Sequence, residues 1–128
     1  MRVDHLRQVA LHVEDMDRAV AFYQNVVGLD LLARFDPPGL AFFDLGGTRL
    51  LLEAGAPSSL LYLGVDDVAD VTAHLREAGV TIVSEPHTIH VDVEGHFGPA
   101  GEAEEMAFFH DSEGNLVGLA GRRALSPT

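Results

Sequence analysis

The 128-residue sequence contains no cysteine, no tryptophan and no lysine. Without cysteine, neither disulfides nor thiolate metal sites can form. Positive charge is scarce as well: eight arginines, spread from Arg2 to Arg123, face 20 acidic residues, for a formal net charge of −12. Such a chain repels phosphate backbones and anionic lipid, so neither nucleic acid nor a membrane is expected as a partner. No apolar run approaches the ~20 residues of a bilayer span. The opening segment Met1-Arg2-Val3-Asp4-His5 lacks the apolar centre of a signal peptide, and a cytoplasmic protein is expected. What the chain does hold is 47% hydrophobic residues and 13 glycines, enough for one domain with an unstapled core.

Val9-Ala10-Leu11-His12-Val13 reads as a strand, and Asp15 after it as the N-cap of a helix. Met16, Val20, Tyr23 and Val27 recur at helical spacing, with Ala19, Phe22 and Val26 widening the apolar stripe, and Gly28 closes the helix. Three strand-like runs follow, Leu29 to Phe35, Leu40 to Leu45 and Thr48 to Glu53, parted by Asp36-Pro37-Pro38-Gly39 and Gly46-Gly47. The second half repeats this order. Leu61 to Val65 is a strand, Asp66-Asp67 supplies a cap, and Val68, Val71 and Leu75 share a helical face closed by Gly79. Val80 to Val83, Met106 to Phe109 and Leu116 to Ala120 complete the set. Two literal echoes support a duplication: Val13-Glu14-Asp15 against Val65-Asp66-Asp67, and Ala41-Phe42-Phe43 against Ala107-Phe108-Phe109.

The predicted fold is therefore α+β, with two tandem βαβββ modules, about 1–56 and about 57–124, in a single domain of residues 1–128. The strands should form a curled mixed sheet around a central cavity, with the helices outside. A cavity between repeats is a natural small-molecule site.

The run from Val9 to Tyr23, the Val27-Gly28-Leu29 turn and Phe109-His110-Asp111-Ser112-Glu113-Gly114-Asn115 together resemble the vicinal oxygen chelate superfamily, which includes glyoxalases, bleomycin resistance proteins and extradiol dioxygenases. The last segment is similar to the family's Asp-Pro-Asp-Gly-Asn turn, with Ser112 in place of proline. The resemblance covers nearly the whole chain and implies a site in which each of four strands offers one ligand to a divalent ion. Gln8 stands at the first such place. Leu60 and Gly118 stand at two others and have no donor, while Leu51 stands at the remaining one with Glu53 two residues beyond it. A step of two along a strand displaces a side chain by about 6.6 Å. First-row sites usually take three or four protein donors, so the family's usual site is absent or rebuilt.

The residues for a rebuilt site are Gln8, Glu53 and His90, with one divalent ion (Zn, Ni, Mn or Fe) as the candidate cofactor. His87 and His90 lie three apart, on opposite faces of a regular strand unless a bulge after Pro86 brings them together. Glu53 has no lysine to pair with, and burial would push its carboxyl upward and suit it to a general base. Glu53, His87 and His90 are thus the candidate catalytic groups. His12 lies where glutathione-using glyoxalases carry a substrate-anchoring arginine, so the resemblance argues against a glutathione conjugate. Gln8, His12, Tyr62 and Phe108 are the candidate substrate contacts. The structural alternatives are a bridging amide for Gln8, a packed imidazole for His12, a solvated strand end for Glu53 and surface imidazoles for His87 and His90. His110 is read as a turn residue, and Glu102, Glu104 and Glu105 as a solvated run. The Gly-rich segment 94–105 is a long loop, either a lid carrying His96 or Phe97 or a plain surface loop.

Two functions fit these residues best. One is a glyoxalase-like enzyme acting on a small oxygen-rich molecule by proton transfer, isomerisation or lyase chemistry. The other is a metal-free binding and sequestration protein of the antibiotic-resistance type, for which an acidic chain suits a cationic drug. A regulatory binding module is a third. The resemblance also implies a homodimer.

Overall fold

Each tandem module builds its own four-stranded mixed sheet, and the two sheets have the same strand order. The computed structural model describes residues 1–2 and 5–125; Val3 and Asp4 of the opening segment, and residues 126–128 at the end of the expected domain, lie outside it. The chain divides into two units, residues 1–59 with 112–115, and residues 60–111 with the segment from 116 onward.

In the first unit, β1 (Gln8–His12) leads into α1 (Met16–Ala21), followed by β2 (Leu31–Phe35), β3 (Leu40–Leu45) and β4 (Thr48–Glu53). The sheet order is β1-β4-β3-β2, with β1 parallel to β4 and the other pairs antiparallel. Asp15 caps α1 as its sequence position predicts, its carboxylate accepting from the Arg18 amide at 3.0 Å. The single helix expected up to Gly28 instead widens after Ala21 into π-helical turns over Phe22–Val27. The wider turns move later positions around the axis, so Val27 of the apolar stripe is only half-buried; Val20 and Tyr23 are buried, and Met16 in the first turn is half-buried. Tyr23 meets Phe43 with ring centroids 6.1 Å apart. Strand alternation sends Leu11, Phe43, Leu50 and Leu52 to the helix side, all fully buried. The same alternation leaves Gln8, His12, Phe42, Arg49 and Glu53 on the opposite face.

The turn at residues 112–115 packs in this unit. The buried Glu113 carboxylate accepts from the amides of Glu14 and Asp15, both at 2.8 Å, from Arg18 Nε at 2.7 Å and from the Ser112 hydroxyl at 2.9 Å. Burial alone would raise its pKa, but Arg18 and the two amides outweigh it and hold the group at about 2. Asn115 Nδ2 donates to the His12 carbonyl at 2.8 Å, and the Ser58 hydroxyl bridges the His12 amide and Asn115 Oδ1. The family-like turn is thus a clamp on the β1–α1 junction.

In the second unit, β5 (Leu61–Gly64), α2 (Val68–Glu77), β6 (Ile82–Asp92), β7 (Glu102–His110) and β8 (Leu116–Arg123) give the order β5-β8-β7-β6, with β5 parallel to β8. Asp67 caps α2, and Val68, Thr72 and Leu75 form its buried stripe. Two strands run well past their predicted ends. β6 continues through Pro86 to Asp92, which its edge position allows, because the missing amide of Pro86 and the irregularities along the strand cost no central ladder. β7 absorbs Glu102, Glu104 and Glu105, which are half-buried rather than a solvated run. Register explains the difference: Glu104 lies opposite Arg122, which binds Glu102 at 2.9 Å and Glu104 at 3.5 Å, while Arg123 binds Glu105 at 2.5 Å.

The predicted loop 94–105 shrinks to residues 93–101 and is tied down. The buried Asp92 carboxylate accepts from the Phe97 amide at 2.9 Å, the His96 amide at 2.8 Å and Arg122 Nη2 at 3.0 Å. The same Arg122 nitrogen reaches the Pro99 carbonyl at 3.1 Å. Gly98 lies against this guanidinium, where an added Cβ would come within 2.8 Å of Nε.

Candidate functional site

On the second unit, the face turned away from α2 carries a row across three strands. Gly118 of β8 has Tyr62 of β5 on one side and Phe108 of β7 on the other, all in register. The two rings meet edge to face, with centroids 5.9 Å apart and planes at 77°. A Cβ on Gly118 would lie 2.9 Å from Tyr62 Cδ1 and 3.0 Å from Phe108 Cε1, so the rings occupy the space a side chain there would need. Tyr62 remains 51% exposed. An aromatic pair therefore stands where the family resemblance implies a metal ligand.

His87 pairs with Met106 and His90 with Glu104, two residues apart on β7 and hence on one face of the sheet. The strand irregularity between Thr88 and His90 supplies the shift that a spacing of three requires. Both imidazoles are exposed, and His87 Nδ1 lies 2.7 Å from the Glu85 carbonyl. His110 is also exposed, at the end of β7, where its amide donates to Thr81. A cavity of about 380 Å³ in this unit lies elsewhere, lined by Asp66, Asp67, Pro86, Glu105 and Arg123 at the start of α2. None of the residues nominated from sequence lines it.

On the first unit, His12 and Glu53 are direct neighbours across the parallel β1/β4 ladder, and Gln8 neighbours Arg49 at its other end. Glu53 is half-buried. Gln8 and Glu53 stand four positions apart along the shared ladder, about 13 Å. Among the described residues, no group of three or more His, Asp and Glu side chains gathers as an ion would require. Leu60 is exposed and without a donor, and the space at Gly118 is filled with ring carbon. The donors at the family's four places therefore do not fit a divalent ion.

Sequence reasoning missed two residues on this face. Arg49 lies over the Phe42 ring, with its guanidinium carbon 5.7 Å from the ring centroid. Phe42 in turn meets Phe35 edge-on at 6.0 Å. The period-two pattern Arg49-Leu51-Glu53 was the available signal, because it puts Arg49 on the same face as Glu53.

Residues 2–119 match the model of the Glyoxalase/Bleomycin resistance protein/Dioxygenase superfamily, and the chain belongs to that family. Among solved structures it is similar to TnmS3, an antibiotic binding protein from Streptomyces sp. CB03234, at 28% identity and TM-score 0.76, over 96% of this chain and 99% of that one. It is also similar to a glyoxalase/bleomycin resistance protein from the same Streptomyces strain, at 29% identity and TM-score 0.68, over 90% and 98% of the two chains. Lactoylglutathione lyase from Agrobacterium tumefaciens shares the fold at 21% identity and TM-score 0.70, over 94% and 96%.

Proposed function

We propose that this protein binds and sequesters a small aromatic molecule, holding it against the Tyr62–Phe108 pair. The observation that carries the proposal is Gly118: the place that would offer a metal donor is instead cleared for two rings, one of them half open to solvent. An exposed aromatic edge gives a planar ligand both apolar contact and a directional quadrupole. The likeness to an antibiotic binding protein supports the same reading. With no tryptophan in the chain, the fluorescence of a bound ligand can be read cleanly. Titration with 2-naphthamide should show saturable binding at one equivalent, unaffected by chelators and weakened about 10-fold or more by Tyr62→Ala. Binding indifferent to Tyr62→Ala, or lost on chelation, would refute it.

A second reading rests on the His12–Glu53 pair. Adjacent side chains on a parallel ladder can relay a proton, and a glyoxalase-like isomerase or lyase would use Glu53 as base with His12 beside it as acid. Turnover of a keto or hydroxy compound, lost in Glu53→Gln while 2-naphthamide binding persists, would favour this reading over sequestration. Either function is proposed for a homodimer, which sedimentation equilibrium checks directly.

A further inference from the structure

With 20 carboxylates for eight arginines, every guanidinium in the chain could be paired. Arg18, Arg34, Arg76, Arg122 and Arg123 each hold at least one carboxylate. Arg49 is exposed and forms no ion pair with any described residue, although Asp44 lies directly opposite it on β3. The Asp44 carboxylate faces the Gly47 amide in the β3–β4 turn instead. Glu53, the other acid of β4, is four positions further on, about 13 Å away. The neighbour on β1 is the neutral Gln8.

The guanidinium rests on Phe42, which is braced by Phe35. A guanidinium held over a ring keeps its in-plane N–H donors free, and their fork matches the two oxygens of a carboxylate. The aromatic rings beside it offer the matching surface for an apolar ligand body.

We propose that Arg49, on its Phe42–Phe35 platform, is an anchoring site for an aryl carboxylate. A monoanion fits better than a phosphate. Among the described residues Arg49 is the arginine that β1, β3 and β4 place on this face, and a net charge of −12 penalises a second negative charge on the ligand. Net charge alone points to a cationic ligand; the local arrangement of β3 and β4 reverses that preference over the reach of one hydrogen bond. The site is built from residues of the first unit alone.

The test compares 2-naphthoate with the neutral isostere 2-naphthamide by ligand fluorescence, on the full chain. Wild type should favour the carboxylate by about 10-fold, Arg49→Gln should abolish that preference, and Arg49→Lys should restore part of it. Phe42→Ala should weaken naphthoate as well. Because Arg49 is exposed, its variants should melt with wild type, and a melt outside that expectation is resolved by comparing the two ligands on the same folded fraction. A wild type without preference, or a preference that survives Arg49→Gln, overturns the anchor while leaving naphthamide binding at Tyr62 standing. Absence of binding of either compound overturns the anchor and the sequestration reading together.

Discussion

At Gly118 the backbone has room for a hydrogen and nothing larger, since Tyr62 and Phe108 close over it. Gly118→Ala should therefore push the rings apart, costing about 1–3 kcal/mol by urea denaturation and weakening naphthamide binding in parallel. That Gly118 lacks a donor was legible in the sequence; that two rings replace the donor was not, because it depends on the register of three strands. Glu113 presents the same limit. Its turn is recognisable, but its partners Glu14 and Asp15 lie 99 and 98 residues away. Glu113→Gln removes the charge that Arg18 and two amides stabilise, and should cost about 1–3 kcal/mol. The group's native pKa, about 2, lies below its unfolded value of about 4.5, so protonation favours the unfolded chain. Its stabilising contribution is complete above that unfolded value and is lost as pH falls toward 2. Urea midpoints at successive pH values should decline through this window in wild type and decline less in Glu113→Gln.

Among the elements, those defined by local chemistry were the easiest to read. The Asp15 and Asp67 caps and the bounds of β3 and β4 follow from neighbouring residues alone. β6 was read short because Pro86 and the charged residues around it break the alternation, and only its place at the sheet edge makes them tolerable. The ordering of residues 93–101 was hidden for a related reason: glycines and Pro99 suggest freedom, whereas Asp92 and Arg122 supply the restraint. The Phe97 and His96 amides, with Arg122, hold the Asp92 pKa at about 2, so the tie persists at neutral pH. Asp92→Ala should raise hydrogen exchange at the His96 and Phe97 amides by about 10-fold or more, with the circular dichroism of the sheets unchanged. Equal protection in both proteins would show that Arg122 and Pro99 suffice.

For the whole molecule, the charge of −12 sets behaviour that no single residue explains. Self-repulsion opposes compaction, and raising sodium chloride from about 20 to about 300 mM should raise the melting temperature despite the exposed ion pairs it screens. The same repulsion predicts no retention on DNA or anionic vesicles near 150 mM salt, checked by electrophoretic mobility and flotation. Composition alone gave this much. It could not say that Arg49 is left without a carboxylate among the described residues, since that is decided by turn geometry at Asp44.

The clamp at residues 112–115 also bears on how the chain comes off the ribosome. The first unit holds nearly half of the sequence, yet the group that fastens the start of α1 is made almost last. A nascent chain ending near residue 59 would have β1 to β4 and α1 but neither Glu113 nor Asn115, so its β1–α1 junction would stay open until the C-terminal strands emerge. The repeat that is first in sequence is thus finished by the second.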